Sequence, residues 1–306
     1  MKTKLVKLSF LTNIHYGNFG SPGLLKTDKY ITSDTLYSAF CDISPTNIEK
    51  LLTLVNEGKI LISDALPYVK DDLLVPIPAQ GIKIKEDLEI NRTLYKKLKK
   101  VEFIPLADYS KLVSEATDSL IEKTINLNNQ IGIDEQRTIN RVSRGISDTV
   151  PIVMSTFHFY ENSGLYVLIQ YKDETDLNFI LNLIENLGYF GVGGKRSSGL
   201  GKYEIKSITD FKNNDEGSYI LVSTSLPIDL DEDVYFKVLK RSGFYRGKDN
   251  FYKKRDVYAV KSGLLLEKPF KGVILDDLSE HDTIYRFLVP MFLRVKLWKK
   301  KYIKLH

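Results

Sequence analysis

The order of strand-like and helix-like segments predicts an α+β protein with a ferredoxin-like (RRM-type) first domain and a smaller, β-rich second domain. Two observations carry this prediction. Strands and helices alternate through the first two thirds of the chain around one long irregular stretch, and the last third is almost entirely strand-like. We expect antiparallel sheets with helices on one face, and a second domain that is degenerate and β-rich. The predicted boundaries are 1–209 and 218–306.

The first domain follows the order βαββαβ once an inserted elaboration, about 80–150, is set aside. Val6, Leu8 and Phe10 alternate with polar residues, which predicts a half-buried strand. Ser33 or Asp34 is a suitable N-cap for the helix that follows. The next predicted elements are a helix after Pro45 and strands at 60–63 and 73–77.

Regular patterns return after the elaboration. Segments 152–160 and 165–171 flank the turn-forming residues ENSG, which predicts a hairpin between them. Apolar residues at helical spacing over 175–187 predict an amphipathic helix that ends at Gly188. The remaining elements of this domain are a glycine-rich loop, 191–202, and a strand, 203–208.

The second half follows a polar linker over 210–217. Its patterns are mostly those of strands, and only 229–235 has some helical character. The predicted strands are 219–224, 234–240, 257–266 and 285–295. A basic tail without acidic residues ends the chain, and such tails are usually solvated.

Composition excludes several classes of protein. The chain has 306 residues, a net charge of +5, one cysteine and four scattered histidines. A disulfide framework and a cysteine zinc site are therefore excluded, and an imidazole metal site is not expected. Because no signal peptide or membrane-spanning run is visible, we expect a cytoplasmic protein without membrane contact. We also expect no cofactor.

The glycine-rich loop is the densest glycine cluster in the chain. Glycines let the backbone approach a phosphate, and successive N–H groups form an anion nest. The order helix–loop–strand differs from a Walker loop and from a Rossmann fingerprint, and it favours a nucleic-acid backbone. A flexible connection with solvated charges explains the composition equally well. The residues predicted to contact RNA here are Gly193, Gly194, Lys195, Arg196, Ser197 and Ser198.

Two further basic regions are candidates for RNA binding. Arginine favours bidentate phosphate contacts, and the candidates at 131–150 lie on one helical face, on a projecting hairpin or in a solvated loop. In 237–261, lysines and aromatic residues interleave, which suits single-stranded nucleic acid and equally describes an ordinary hairpin. The candidate residues are Arg137, Arg141, Arg144, Lys240, Arg241 and Ser242.

No catalytic cluster is apparent. His15 and Gly17 lie in a polar loop after the first strand, where a histidine can act as a general acid or base, stack on a base or donate to a phosphate. No second histidine has a sequence relation to it. We therefore expect an RNA-binding protein that is not an enzyme. The alternative is a metal-independent endoribonuclease in which His15 is the general acid or base.

The glycine-rich string from Phe190 to Tyr203, FGVGGKRSSGLGKY, resembles the G-rich loop of the RAMP superfamily of CRISPR proteins. Other segments narrow the resemblance to the family of fourth Csm subunits of type III-A effectors. These segments are HYG from His15, ITSDTLYSA from Ile31, SDALPY from Ser63, KRSGF from Lys240 and YAVKSG from Tyr258. The similarity runs from residue 4 to about residue 295.

This resemblance implies two ferredoxin-like domains and a role in antiviral defence. It implies a non-catalytic subunit that grips the 5′ tag of the crRNA, with target RNA nearby and no DNA-specific binding of its own. The implied protein partners are the large polymerase-like Csm subunit, which docks on this one, and the backbone RAMP subunit, whose filament it caps. A thumb-like hairpin kinks the guide in such subunits, and by position it corresponds to 131–150. In the RAMP superfamily, the endoribonuclease alternative corresponds to processing of crRNA precursors.

Overall fold

The computed structural model describes residues 1–17, 23–82, 92–142, 149–230, 234–246, 251–278 and 283–296. The helices in these ranges are α1 Ser33–Ile43, α2 Ile48–Asn56, α3 Arg92–Leu98, α4 Tyr109–Glu115, α5 Asp118–Asn129 and α6 Glu174–Phe190. Within the described part of the second half, strands and irregular segments alone are present.

The strands of the first half and the elaboration are β1 Lys2–Phe10, β2 Ile60–Ile62, β3 Leu66–Val69, β4 Asp72–Pro76, β5 Phe103–Pro105, β6 Gly132–Val142, β7 Thr149–Phe159, β8 Ser163–Tyr171 and β9 Tyr203–Asp210. Those of the second half are β10 Ser218–Leu221, β11 Val238–Arg241, β12 Phe244–Arg246, β13 Phe251–Lys253, β14 Val257–Val260, β15 Leu265–Leu266, β16 Val273–Leu278, β17 Thr283–Leu288 and β18 Phe292–Val295.

One antiparallel sheet organises the first half. Its strand order is β5-β4-β3-β8-β1-β9, and β2 also pairs with β8. The prediction of a mixed fold with antiparallel sheets is confirmed, and the assignment of two ferredoxin-like domains stays a prediction.

The predicted hairpin between 152–160 and 165–171 is wrong. A turn does join β7 to β8, where the Ser163 N–H donates to the Tyr160 carbonyl over 3.0 Å. The two strands then separate, since β8 pairs with β1, β2 and β3. All eleven residues of β7 pair with β6, so the elaboration ends in a long hairpin of its own.

Two predicted helix ends also differ in the structure. Helix α6 continues past Gly188 to Phe190, and Gly191 is its C-cap residue with φ 81°. Gly188 instead allows close packing, because a Cβ there would lie 2.4 Å from the Tyr203 carbonyl oxygen of β9. At α1 the N-cap residue is Thr32, and Asp34 lies inside the first turn.

The main hydrophobic core crosses the predicted boundary near 210–217. Ile220, Val222 and Phe287 of the second half belong to the same buried cluster as Val6 and Leu168 of the sheet. The Phe287 ring stacks on the Tyr37 ring of α1, with the two ring centroids 4.6 Å apart. The two halves are therefore packed together over an apolar interface.

Buried polar groups reinforce this interface. The Asp64 carboxylate is fully buried and accepts hydrogen bonds from the Ser33 N–H, the Thr224 N–H and the Thr224 hydroxyl at 2.7–3.1 Å. Burial raises the pKa of Asp64, and the hydrogen bonds from Ser33 and Thr224 oppose that rise. One carboxylate thus joins the start of α1 to the strand region after β10.

Candidate nucleic-acid interface

The glycine-rich loop after α6 folds back on itself. Gly193 and Gly201 have φ of 93° and 78°, in the left-handed region that favours glycine. A Cβ on Gly201 would lie 2.0 Å from the Val192 carbonyl oxygen, and one on Gly193 would lie 2.8 Å from the His15 carbonyl oxygen. Both positions therefore require glycine.

The loop is bonded to the segment that leaves β1. The Gly194 N–H donates to the His15 carbonyl at 2.7 Å, and the Gly201 N–H donates to the Asn13 carbonyl at 2.9 Å. Residues 13–16, which we call the β1 exit segment, are all buried. The loop is thus held against a rigid support and is not a loose connection.

The other side of the β1 exit segment contacts the base of the β6–β7 hairpin. Ile14 and Phe157 exchange backbone hydrogen bonds of 2.8 and 3.0 Å. The His15 Nδ1 lies 2.8 Å from the Ser155 carbonyl oxygen, so Nδ1 carries the proton and donates. The remaining ring nitrogen, Nε2, faces Gly194. The exit segment therefore joins the glycine-rich loop to the hairpin.

A polar network fixes the hairpin at the same place. The buried Asn13 amide donates to the Glu135 carboxylate at 2.8 Å and to the Thr156 hydroxyl at 3.0 Å. Its side-chain oxygen lies 3.1 Å from the His158 Nδ1. The hydrogen bonds from Asn13 and then from Arg137 lower the pKa of Glu135. Sequence analysis did not single out Asn13, because an isolated polar residue after a strand carries no pattern.

The charged residues of the loop differ in availability. Lys195, Ser197 and Ser198 are exposed. The Arg196 guanidinium pairs with Asp42 near the end of α1, at 2.6 Å, so an acid already compensates this charge. Gly17 follows the β1 exit segment and is half-buried.

Two of the three candidate arginines, Arg137 and Arg141, lie on strand β6 of the hairpin and not on a helix. Arg137 is exposed on β6 and pairs with Glu135 at 3.2 Å. Arg141 lies four residues further along β6, where its backbone pairs with Val150 of β7. Arg144 lies outside the described residues.

The turn around residue 241 differs from the prediction of exposed basic residues. The Arg241 side chain is buried, its Nε lies 3.0 Å from the Asp34 carboxylate, and one terminal nitrogen donates to the Thr35 hydroxyl. Lys240 pairs with Asp256 at 2.8 Å. Ser242 donates to the same carboxylate. Arg241 therefore joins β11 to α1 and presents no guanidinium to a ligand.

The described residues hold no group of three histidine, cysteine or acidic side chains placed to bind a metal ion. Among the helices that the structure describes, none is long and apolar enough to cross a membrane.

Comparison with known proteins identifies the class. Residues 214–295 match the family model described as the CRISPR Csm4 C-terminal domain. The Csm4 protein of Mycobacterium tuberculosis is 29% identical over 294 residues, which covers 90% of this chain and 93% of that protein. The Csm4 protein of Streptococcus thermophilus is 26% identical and covers 97% of this chain and 100% of its own length.

Solved structures share the fold. A Csm1–Csm4 cassette in complex with cA4 aligns with a TM-score of 0.62 at 18% identity, over 98% of this chain and 100% of that chain. A Csm3–Csm4 subcomplex of the type III-A CRISPR–Cas interference complex aligns with a TM-score of 0.59 over 97% and 100%. The family-model match and the curated relatives together support a RAMP-like subunit of a CRISPR complex. Within that class, the chain is similar to the Csm4 proteins, and this similarity supports a fourth Csm subunit of a type III-A complex.

Proposed function

We propose that this chain is a crRNA-binding subunit that grips the 5′ tag between the glycine-rich loop and the β6–β7 hairpin. The observation that carries the proposal is the β1 exit segment, which holds both elements through His15 and Asn13. A rigid backbone loop with exposed Lys195 and serine hydroxyls suits phosphate groups. The hairpin supplies the second wall.

The hairpin is long enough to reach along an RNA strand. Each of its strands has eleven residues, a length of roughly 35 Å at the usual rise per residue. Residues 154–157 of β7, toward the base, are buried, whereas Gln136, Arg137 and Thr138 of β6 are exposed. This hairpin corresponds to the thumb that the family resemblance implies, and we propose that it contacts the guide beside the first target segment.

The proposed protein partners are the large polymerase-like subunit and the backbone RAMP subunit. Support comes from the similar chains solved as Csm1–Csm4 and Csm3–Csm4 complexes. The continuous core across the two halves offers one rigid body for both contacts.

Replacement of Lys195 and Arg196 together by alanine tests the RNA contact. We expect weaker capture of tagged crRNA, and a salt dependence of binding that flattens by about 0.7 units of slope for each phosphate that is no longer paired. Lys111→Ala, on the exposed face of α4, is a control that removes a positive charge away from the loop. Wild-type retention of tagged crRNA by the double variant would contradict the proposal.

We also propose that the subunit is non-catalytic. His15 is 8% exposed and its Nδ1 is committed to the Ser155 carbonyl, which leaves one ring nitrogen for chemistry. Incubation of the purified chain with repeat RNA in EDTA should leave the RNA intact. Cleavage that His15→Ala abolishes would support the endoribonuclease alternative instead.

A further inference from the structure

A cleft lined by lysines lies between the elaboration and the second half, apart from the glycine-rich loop. Its volume is about 320 Å³, and its charged walls are Lys99, Lys100, Glu102, Lys237 and Lys261. We call these residues and the space between them the lysine cleft. The end of β4, at Pro76, contributes an apolar floor.

The lysine cleft concentrates positive charge. Partial burial lowers the pKa of the Lys237 amine and the charge of Lys261 lowers it further, while the Glu102 carboxylate in the same cleft opposes this fall. The Lys261 amine lies 4.9 Å from the ring centroid of Tyr30. A bound anion would relieve the repulsion between these amines, and lysine is a common point-charge ligand for phosphate.

Exposed apolar side chains continue from the cleft. On the outer face of the β11–β14 pair, Val238 is 56% exposed and Tyr258 is 62% exposed. Tyr235 and Phe236, just before β11, are 70% and 42% exposed. We call these four residues the aromatic strip. The opposite face of β11 and β14 is turned inward, with Arg241 and Ala259 buried.

The lysine cleft and the aromatic strip both adjoin the β11–β14 pair. The Lys261 N–H, just after β14, donates to the Lys237 carbonyl, just before β11, at 2.9 Å. The backbones of Lys237 and Lys261 therefore meet beside Phe236, where the aromatic strip begins. Lysine is depleted at the centre of protein–protein interfaces, whereas basic grooves lined by aromatic rings are typical of single-stranded nucleic acid sites.

Helix α1 relates this surface to the glycine-rich loop. Its first turn holds Arg241 of β11 through Asp34, and its last turn holds Arg196 of the loop through Asp42. The second acid follows the first by two turns of helix, a rise of about 12 Å. The two surfaces are therefore held at a fixed spacing by one rigid element.

We propose that the lysine cleft and the aromatic strip form a second single-stranded RNA-binding surface, in which the cleft holds backbone phosphates and Tyr258 stacks on a base. This inference rests on the proposed function, since it assigns a further stretch of the bound RNA to the same subunit. The proposed ligand is single-stranded RNA, which this surface binds without sequence preference. Base stacking and phosphate contacts do not involve the hydrogen-bonding edges of the bases, by which sequence is recognised.

The stacking part is tested with Tyr258→Ala in the full chain. The probes are an unstructured single-stranded RNA and the same backbone carrying abasic sites. We expect about 5- to 100-fold weaker binding of the RNA, and no change for the abasic strand. Equal losses on both probes, or wild-type binding of the RNA, would overturn the stacking role.

The phosphate part is tested with the double variant Lys100→Gln and Lys237→Gln. We expect a flatter salt dependence, by about 0.7 units of slope for each phosphate that the cleft no longer pairs. The double variant Lys111→Gln and Lys212→Gln removes the same charge from exposed positions outside the cleft, and it should bind as wild type. Equal effects of the two double variants would overturn the assignment to the cleft.

Four further outcomes separate the proposals. If the Lys195 and Arg196 variant loses RNA while the cleft and strip variants bind normally, this inference is overturned and the proposed function stands. If the wild-type chain retains no RNA, the proposed function itself fails. If the strip variants bind RNA normally but no longer enter the assembled complex, the surface serves a protein. If inorganic phosphate binds the cleft while Tyr258→Ala has no effect, the surface serves a small anion. Either outcome overturns this inference.

Discussion

The first half and the second half of the molecule are stabilised in different ways. In the first half, one continuous sheet buries strands such as β8, whose residues are almost all inaccessible to solvent. After residue 218 the sheets have only two or three strands in the described ranges. Their contacts with the first half include buried charged or polar groups: the Thr224 N–H donates to Asp64, which precedes β3, and Arg241 pairs with Asp34 of α1. Buried polar contacts therefore help to fix the second half against the first.

Removal of the Arg241 side chain should have the largest effect on this arrangement. Arg241→Ala leaves Asp34 buried without its cation, and we expect a loss of about 3–5 kcal/mol in the free energy of unfolding. Urea unfolding measures this value. Lys240→Ala, at the preceding position, breaks a pair with Asp256 at the surface, and it should lower the free energy of unfolding far less than Arg241→Ala does. Similar losses for both variants would contradict a special contribution from the buried pair of Arg241 and Asp34.

A smaller loss is expected from a change inside the first half. Gly188→Ala introduces a Cβ at 2.4 Å from the Tyr203 carbonyl, so α6 must move away from β9. Overpacking of this kind costs about 1–3 kcal/mol, although alanine is the better helix former by about 1 kcal/mol. Thermal unfolding should show net destabilisation, and Asn186→Ala on the exposed face of α6 is the control. A stabilised Gly188→Ala variant would show that this packing is not tight.

The smallest expected effect is a change in pH dependence. Lys254 is buried and its amine donates to the Ser38 hydroxyl at 2.9 Å. Burial, and then the charge of Arg286, lower the pKa of Lys254. Because the pKa in the folded state is below the unfolded value of about 10.4, this group contributes stability at high pH that is lost as pH falls through the folded pKa.

Lys254→Met should therefore remove part of the rise in stability between neutral pH and pH of about 10. The measurement is the difference in unfolding free energy between variant and wild type across that range. Lys253→Met changes a neighbouring side chain that is 60% exposed, and its difference should stay flat. A flat difference for Lys254→Met as well would contradict the burial of a charged amine at the interface between the halves.

Periodicity predicts the elements whose burial follows a simple repeat. The alternation at Val6 and Leu8 predicts β1, and the helical spacing from Leu177 predicts α6, because one face of each element packs on the core. The pairing of β7 was not predictable in this way. Its turn to β8 has hairpin chemistry, but the partner strand β6 lies in the irregular stretch, where exposure on both faces leaves no alternation to detect.

The candidate site likewise has a part that the sequence predicts and a part that it does not. Composition and glycine spacing identify the glycine-rich loop, and the loop does lie against the segment that contains His15. The ion pair between Arg241 and Asp34 could not be predicted from the sequence. The two residues are 207 positions apart, and only the fold brings them together. A basic residue in a small polar turn therefore indicates phosphate binding only when no acid is folded against it.

The contacts of His15 couple the glycine-rich loop to the β6–β7 hairpin. Its carbonyl holds Gly194 and its ring holds Ser155, so one residue is the joint between two walls of the proposed RNA site. Displacement of the hairpin by a ligand must then shift the loop, and displacement of the loop must shift the hairpin. Such coupling is reciprocal: whatever factor a hairpin ligand imposes on the affinity of the loop, a loop ligand imposes on the hairpin.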